Sequence, residues 1–362
     1  MSSPSAGTAQ AILLYGASGT YKTTQVLALA EHVHHTTGLS TRVISAETAG
    51  AETLATGIAM GYIEPLWISQ DMLPRSAMRK LARGEWPVMK DGIPVRNAKG
   101  EMSWTNSLAG VGAYAWEGLT SISMLVGQGL KSKFASGTMV KGASEGAGLA
   151  GAGYSEEGET FGSGSQSQVG SVQDTIMEIL RESPKNLYAK SGGKIAYVLF
   201  TAHEARGVDE FTGGSVYGPG TVGKAITGKI GAEVGTMIHL ESESVESPAG
   251  KDGGGKIFKQ RVWAYFRPHP DTEAPRVLWP AKPRVPPIKE ALDALEVRFP
   301  NSRFELTTSQ SIVDYLKFQE KAHDDAMKVL EARRAAALAA RSANPATPPA
   351  STAGAATAVA TK

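Results

Sequence analysis

The stretch Gly16-Ala17-Ser18-Gly19-Thr20-Tyr21-Lys22-Thr23-Thr24 decides the fold of this chain. It follows a short apolar segment, 11–15, and precedes the helix-forming run 25–31. A strand, a glycine-bearing loop, a Lys-Thr pair and a helix, in this order, are the elements of a phosphate-binding P-loop. Such a loop surrounds phosphate with backbone N–H groups and the positive end of the helix. The stretch therefore predicts a nucleotide site, and a glycine-rich turn that binds no ligand is the alternative.

Individual residues of this loop have distinct expected roles. Lys22 is placed to reach the β- and γ-phosphates of ATP, and the Thr23 hydroxyl is placed to ligate Mg²⁺. Tyr21 stands where the pattern G-x-x-x-x-G-K-[ST] has its second glycine. That glycine leaves room for the backbone to lie against phosphate, so the Tyr21 side chain must either point outward or reshape the loop.

The composition is that of a globular protein without membrane segments. The chain has 362 residues, of which 41% are hydrophobic and 20% charged, with a net charge of +2 and no cysteine. Disulfides and thiolate metal sites are thereby excluded. No apolar run is long enough to span a bilayer, and residues 1–5 do not resemble a signal peptide. We expect a cytoplasmic protein with no membrane partner, in which any polyanion is held by a local patch of charge.

Predicted strands and helices alternate along the first half of the chain, which is typical of a parallel sheet covered by helices. Strands are predicted at 11–15, 41–47, 65–69, 112–117, 195–200, 236–240, 257–266 and 276–278. Helices are predicted at 25–31, 50–61, 74–83, 172–180, 288–297 and 308–341. The expected fold is α/β, with a mostly parallel central sheet flanked by helices, antiparallel strands toward the C-terminal side and a helical C-terminal extension.

Composition shifts along the chain predict its organisation. A single α/β domain is expected over 10–285, with a small hairpin inserted at 84–104 around an Asp-Gly turn. The Gly/Ser-rich segment 127–170 has too few large apolar residues to order itself and predicts a mobile loop. The remaining expectations are a flexible N-terminus at 1–9, C-terminal helices at 286–341 and a disordered tail at 342–362.

Carboxylates and a histidine close the predicted strands near the P-loop. In open α/β sheets ligands bind at the carboxyl ends of the strands, so Glu47, Glu117 and His203 are predicted to meet there. Taken with the P-loop, in chain order, these anchors over 10–285 resemble the RecA-like ATPase core. The likeness is closest to phage-encoded RecA-like ATPases of recombination and replication.

The resemblance implies catalytic roles for two of these residues. Glu47 matches the acidic residue that activates the attacking water, although a glutamate that caps the next helix is the alternative. His203 matches the polar residue that senses the γ-phosphate, or it is a capping histidine. Glu117 matches the carboxylate that holds the Mg²⁺-bound water shell, although the family has Asp at this position. The glutamate at 117, which is longer by one methylene group, and the tyrosine at 21 are the two departures from the family pattern.

Two segments are candidates for contact with a partner. Lys224 lies where the family places a cation that completes a neighbouring subunit's ATP site, which implies a homo-oligomer; an ordinary surface lysine is the alternative. In the glycine-rich loop 204–220, Arg206, Phe211 and Tyr217 match the place where RecA-like recombinases meet single-stranded DNA.

A second basic segment lies downstream. Between Lys251 and Arg284, eight basic and three acidic residues leave a local charge of +5, interleaved with aromatic residues. Lys256, Lys259, Arg261 and Arg267 therefore become candidate nucleic-acid contacts. A plain antiparallel hairpin, with aromatic residues inward and charges outward, fits the same alternation.

The sequence thus favours an ATP-binding and ATP-hydrolysing protein, dependent on Mg²⁺, that acts on single-stranded DNA in phage recombination or replication. One alternative is a helicase or packaging-type motor ATPase with the same core. Another is a nucleotide-gated protein-interaction module in which Tyr21 and Glu117 have blunted hydrolysis.

Overall fold

A computed structural model of the chain describes residues 7–68, 75–135, 166–208, 215–221, 224–247, 257–266, 289–307 and 310–343. The strands are β1 (Gln10–Gly16), β2 (Ser40–Ser45), β3 (Ile63–Trp67), β4 (Trp86–Pro87), β5 (Met89–Lys90), β6 (Ile93–Pro94), β7 (Trp104–Thr105), β8 (Val111–Glu117), β9 (Tyr197–Val208), β10 (Ser215–Pro219), β11 (Thr236–Ser247), β12 (Ile257–Tyr265) and β13 (Arg303–Leu306). The helices are α1 (Lys22–Thr37), α2 (Ala51–Ala59), α3 (Arg75–Ala82), α4 (Leu119–Ala135), α5 (Gln166–Lys190), α6 (Lys224–Glu233), α7 (Lys289–Arg298) and α8 (Ile312–Ala343).

One large sheet organises the described part of the chain. Its strand order is β13-β12-β11-β1-β9-β8-β2-β3, and β10 pairs with the extended end of β9. The strands from β3 across to β11 are parallel, whereas β12, β13 and β10 run antiparallel to their neighbours. The predicted α/β class, with a parallel centre and antiparallel strands toward the C-terminal side, is confirmed.

The P-loop strand β1 lies at the centre of this sheet and is buried on both faces. Leu13 and Tyr15 pack into the hydrophobic cluster that contains α3, α4, α5 and α6. Ile12 and Leu14 pack into the opposite cluster, which contains α1, α2, α7 and α8. A strand covered by helices on both sides must be apolar at consecutive positions, which explains the unbroken apolar run before the P-loop.

The C-terminal region contributes to the hydrophobic core beyond residue 285, where the sequence predicts the end of the α/β domain. β13 was not predicted, and it forms the edge of the sheet by pairing with β12. Phe304 and Leu306 of β13 alternate with half-buried positions, and Tyr315 of α8 is fully buried beside them. A four-residue strand gives too short an alternation to be recognised in the sequence. Only the last part of described α8, residues 331–340, is exposed throughout.

Other boundaries also differ from the sequence predictions. α4 continues to Ala135 and α5 begins at Gln166, so the predicted loop at 127–170 is helical at both ends; its centre and the predicted strand at 276–278 lie outside the described residues. The segment 204–220, predicted as a loop, is largely a hairpin of β9 and β10. Small antiparallel pairs, β4–β7 and β5–β6, occur where the insertion was expected. Within the described residues, no helix has the length and apolar character needed to cross a lipid bilayer.

Candidate nucleotide site

The P-loop connects the end of β1 to the start of α1. Gly16 ends β1 so close to the neighbouring strand that a Cβ there would lie 2.2 Å from the Leu240 carbonyl oxygen. Only glycine fits at this position. Gly19 has a φ of 77°, in the left-handed region that favours glycine. The Thr20 hydroxyl donates to the Ala17 carbonyl at 2.8 Å and closes the turn.

Tyr21 keeps the backbone conformation that glycine usually supplies. Its φ is 59° and ψ 25°, and it forms the N-cap position of α1. The residue is 44% exposed. Of the two possibilities that the sequence left open, the outward orientation is the one observed. The usual glycine position thus carries an aromatic side chain in left-handed backbone, at a cost of roughly 1–2 kcal/mol.

Lys22 folds back over the loop that precedes it. Its amino group donates to the carbonyl oxygens of Gly16 at 3.0 Å and Ala17 at 2.7 Å. Burial of the ammonium group lowers the pKa of Lys22, and the nearby carboxylates of Glu47, Glu117 and Glu204 act in the opposite direction. The side chain therefore lies over the concave side of the P-loop as a buried cation among acidic groups.

Thr23 and Glu117 lie together, as their predicted metal role requires. The Thr23 hydroxyl donates to Glu117 Oε1 at 2.6 Å, and the Ser45 hydroxyl donates to Glu117 Oε2. Glu117 is only 1% exposed, and this burial raises the pKa of its carboxyl group. Hydroxyl and carboxylate oxygens are the hard ligands that Mg²⁺ prefers.

Glu47 and His203 meet at the same sheet edge. His203 lies in register with Gly16, and its Nε2 is 3.2 Å from Glu47 Oε1. The Ser121 hydroxyl, at the start of α4, donates to the same oxygen at 2.9 Å. The hydrogen bond with His203 is the main reason why the pKa of Glu47 lies below its usual value, and Ser121 and Lys22 lower this pKa further. Burial of the carboxyl group raises the pKa, but by less than these contacts lower it. An ionised, oriented carboxylate beside a P-loop is suited to act as a general base.

Gly118 lies against this carboxylate. Its φ is 79°, and a Cβ at this position would lie 2.6 Å from Glu47 Oε1. We expect Gly118→Ala to displace the Glu47 side chain from Ser121 and His203. For a carboxylate that acts as a general base, a displacement of about 1 Å lowers kcat roughly 100-fold. Steady-state ATPase kinetics test this expectation.

Gly110 offers a matched control for that variant. Its φ is 78°, and no atom lies within 4 Å of the Cβ position. Both substitutions force alanine into left-handed backbone, so each should lower the free energy of unfolding by about 1–2 kcal/mol. Only Gly118→Ala should lose turnover. An equal loss in Gly110→Ala would show that general destabilisation, rather than the Glu47 contact, is responsible.

The predicted partner-contact residues are less completely placed. Lys224 begins α6. Arg206 on β9 and Tyr217 on β10 are cross-strand neighbours in the hairpin that continues from His203. Phe211, Lys256 and Arg267 lie outside the described residues.

In the described part of β12, acidic residues of the neighbouring strands lie beside the basic residues. Arg261 lies opposite Glu243 of β11 and pairs with Glu305 of β13 at 3.4 Å. Lys259 is exposed, but the facing strand β11 adds three exposed carboxylates, Glu241, Glu243 and Glu246. These acidic residues lie outside the window counted in the sequence, so that count overstated the positive charge. β11 and β12 thus form an antiparallel hairpin, and nucleic-acid contact at Lys259 and Arg261 stays a prediction.

Aromatic residues of β12 are engaged within the chain as well. The Trp263 indole N–H donates to Glu243 at 2.9 Å, and the Arg303 guanidinium lies 4.2 Å from the centre of a Trp263 ring. Tyr265 and Phe266 are buried. Tyr265 and Phe266 are therefore not available for stacking on single-stranded bases, and Arg303 covers one face of the half-buried Trp263.

Sequence reasoning assigned no role to Ser45, Gly118 or Ser121, although each touches a predicted site carboxylate. Ser45 and Gly118 could have been suspected, since they lie within two residues of Glu47 and Glu117 along the chain. Ser121 had no comparable signal, because its direction depends on how α4 starts.

The strand order and the site together define the class of fold. β9, which carries His203, lies between the P-loop strand β1 and the Glu117 strand β8 in a mostly parallel sheet covered by helices on both faces, which is an α/β fold with a P-loop at the carboxyl edge of the sheet. No protein-family model matches the sequence, and no curated protein is similar to it at a significant level.

Solved structures with similarity to the chain include two archaeal proteins. One is the flagellar accessory protein FlaH from Methanocaldococcus jannaschii, with 11% identity over 71% of this chain and 76% of FlaH, and a TM-score of 0.32. The other is a KaiC-like protein from Pyrococcus horikoshii, with 12% identity over 75% of this chain and 89% of that protein, and a TM-score of 0.31. At these values the assignment of the fold comes from the strand order and P-loop geometry of the chain itself.

Proposed function

We propose that this protein binds ATP with Mg²⁺ at residues 16–24 and hydrolyses it, with Glu47 as the general base. The observation that carries the proposal is the convergence of two pairs at the carboxyl edge of one parallel sheet. The Thr23 hydroxyl oxygen lies 2.6 Å from Glu117 Oε1, and His203 Nε2 lies 3.2 Å from Glu47 Oε1. Both pairs lie beside the P-loop lysine, whose pKa responds to Glu47 and Glu117.

The residues present fit a magnesium nucleotide. Gly16 and Gly19 have no side chains that could obstruct the loop, Lys22 lies over it, and α1 begins directly after it, so that its N-terminal N–H groups are available to phosphate. Lys22 supplies the cation for the β- and γ-phosphates, and Thr23 with Glu117 would hold Mg²⁺. Bound Mg²⁺ would neutralise charge on the phosphate oxygens and favour the ionised form of Glu117, whose pKa burial otherwise raises.

The chain's own residues then provide the catalytic steps. Glu47 accepts a proton from the water that attacks the γ-phosphate, while Lys22 stabilises the negative charge on the transferring phosphoryl group. His203 contacts Glu47 and lies at the end of β9, so its hydrogen bonds can respond to the presence of the γ-phosphate.

An ATPase assay of the purified chain tests this proposal. Release of phosphate should require Mg²⁺ and stop when EDTA is added. Calorimetry with ATP and magnesium should detect binding of one nucleotide per chain. If calorimetry detects no binding of ATP in the presence of magnesium, the proposal is wrong. If ATP is bound but no phosphate is released, the chain is a nucleotide-gated interaction module instead.

We further propose that single-stranded DNA contacts the β9–β10 hairpin, so that the protein acts on DNA in phage recombination or replication. The observation that favours this site over β12 is continuity, because the hairpin begins at the strand end that carries His203. Binding there would reach the Glu47–His203 contact directly. The resemblance of the sequence to phage RecA-like ATPases supports the same role, together with assembly into a homo-oligomer in which Lys224 meets a neighbouring subunit's ATP.

Two charge reversals separate the hairpin from β12. Arg206→Glu should abolish the stimulation of ATPase activity by a single-stranded oligonucleotide and reduce the salt dependence of its binding. Arg261→Glu should leave both unchanged, because Arg261 already lies among Glu243 and Glu305. The reverse result would place DNA on β12, and strand separation by the natural chain would favour the motor alternative. Mass measurements with ATP and DNA test assembly.

A further inference from the structure

Two adjacent hydroxyl residues follow the Glu117 strand at the first turn of α4, and each contacts a different part of the site. The Ser121 hydroxyl donates to Glu47 Oε1 at 2.9 Å. The Thr120 hydroxyl accepts from the backbone N–H of His203 at 2.9 Å and donates to the Gly220 carbonyl at 2.6 Å. The start of α4 is therefore attached both to Glu47 and to the strand end that carries His203.

The contacts at Glu47 are unequal for its two oxygens. Ser121 and His203 both reach Oε1, and the bare Cα of Gly118 faces the same side of the carboxylate. Among the described residues, no hydrogen bond ends on Oε2. A carboxylate held through one oxygen keeps the other available, in a fixed direction, for a hydrogen bond from water.

We propose that Ser121 is a positioning residue, which with His203 holds Oε1 of Glu47 so that Oε2 accepts the proton of the attacking water. The inference rests on the proposed ATPase function and assigns to this site a residue that neither the P-loop motif nor the strand-end carboxylates indicate. Thr120 keeps Ser121 and His203 in register with one another, because it fixes α4 to the backbone of His203.

The charged and titratable groups around Glu47 set the pH dependence. They are His203 from β9, Lys22 from α1 and Glu117 from β8. Glu47 acts as a base only when ionised, so activity is present above its pKa and is lost as the pH falls through it. Because the Ser121 hydrogen bond favours the ionised form, removing that bond raises the pKa of Glu47. The loss of activity then occurs at a higher pH.

Ser121→Ala tests the proposal. We expect kcat to fall roughly 10-fold with an unchanged KM for ATP, because the variant disturbs only the direction of the base. The acidic limb of the kcat profile should move to higher pH. Ser121→Thr retains a hydroxyl and should restore both.

Ser123→Ala is the matched control. Ser123 lies in the same first turns of α4, is fully buried, and donates instead to the Thr120 carbonyl at 2.6 Å. We expect it to keep the natural kcat and pH profile. An equal fall in kcat for Ser123→Ala would show that a general disturbance of α4 causes the loss, and this would overturn the proposal. An unchanged kcat for Ser121→Ala would overturn it as well.

A second measurement does not depend on turnover. The Glu47 carboxyl can be titrated by ¹³C NMR in the protein without nucleotide. Its midpoint should lie at higher pH in Ser121→Ala than in the natural chain or Ser123→Ala, and equal midpoints would contradict the proposal. If the natural chain hydrolyses no ATP, the proposed function fails, yet this titration still decides whether Ser121 controls Glu47.

Discussion

Lys22→Ala is expected to weaken ATP binding roughly 100-fold. The lysine amino group is buried over the P-loop, where it donates to two loop carbonyls and lies near three carboxylates. An ammonium in this position can make two charge-assisted hydrogen bonds to phosphate oxygens, which together contribute about 3 kcal/mol, or two factors of ten in Kd. Isothermal titration calorimetry with ATP and Mg²⁺ measures the change.

The control for this variant is Lys90→Ala. Lys90 lies exposed on β5, away from the large sheet, so its loss changes the net charge equally without touching the site. It should bind ATP like the natural chain. A Lys22→Ala protein that is folded by circular dichroism and binds ATP with the natural Kd would remove the P-loop from the proposed site.

Glu47→Gln should separate binding from turnover. Glutamine can still accept hydrogen bonds from Ser121 and His203, but it cannot take a proton from water. We expect kcat to fall by about 10³-fold, which is within the range of general-base catalysis, while the Kd for ATP changes little. Single-turnover ATPase assays, together with calorimetry, distinguish the two effects.

Glu52→Gln provides the comparison of equal charge. Glu52 lies exposed in the first turn of α2, close to Glu47 in sequence. Its removal should leave kcat unchanged. Natural turnover in Glu47→Gln would exclude Glu47 as the base and leave His203 or another group to be tested.

The parts of the site that the sequence predicted share one physical cause. Parallel strands bring their carboxyl ends to one edge, so a residue that closes a predicted strand can be placed without knowing side-chain directions. Glu47, Glu117 and His203 were found by this reasoning, and the structure brings them together at the P-loop. The roles assigned to them stay predictions.

The parts that the sequence missed depend on contacts between distant segments. Ser121 reaches Glu47 only because α4 starts in a particular direction after Gly118. The carboxylates that face β12 were not anticipated, because a charge count along 251–284 omits the residues of the facing strand, here Glu241 and Glu243. β13 was missed because its alternation is too short to stand out beside a helical region.

The position of β1 has a consequence for biosynthesis. Both neighbours of this central strand, β9 and β11, begin far later in the chain, at Tyr197 and Thr236. While the ribosome is still making the intervening segment, the apolar residues of β1 have no partner strand and are exposed to aggregation. Truncated products that end before β11 should therefore leave β1 without one of its two partner strands and be captured by chaperones.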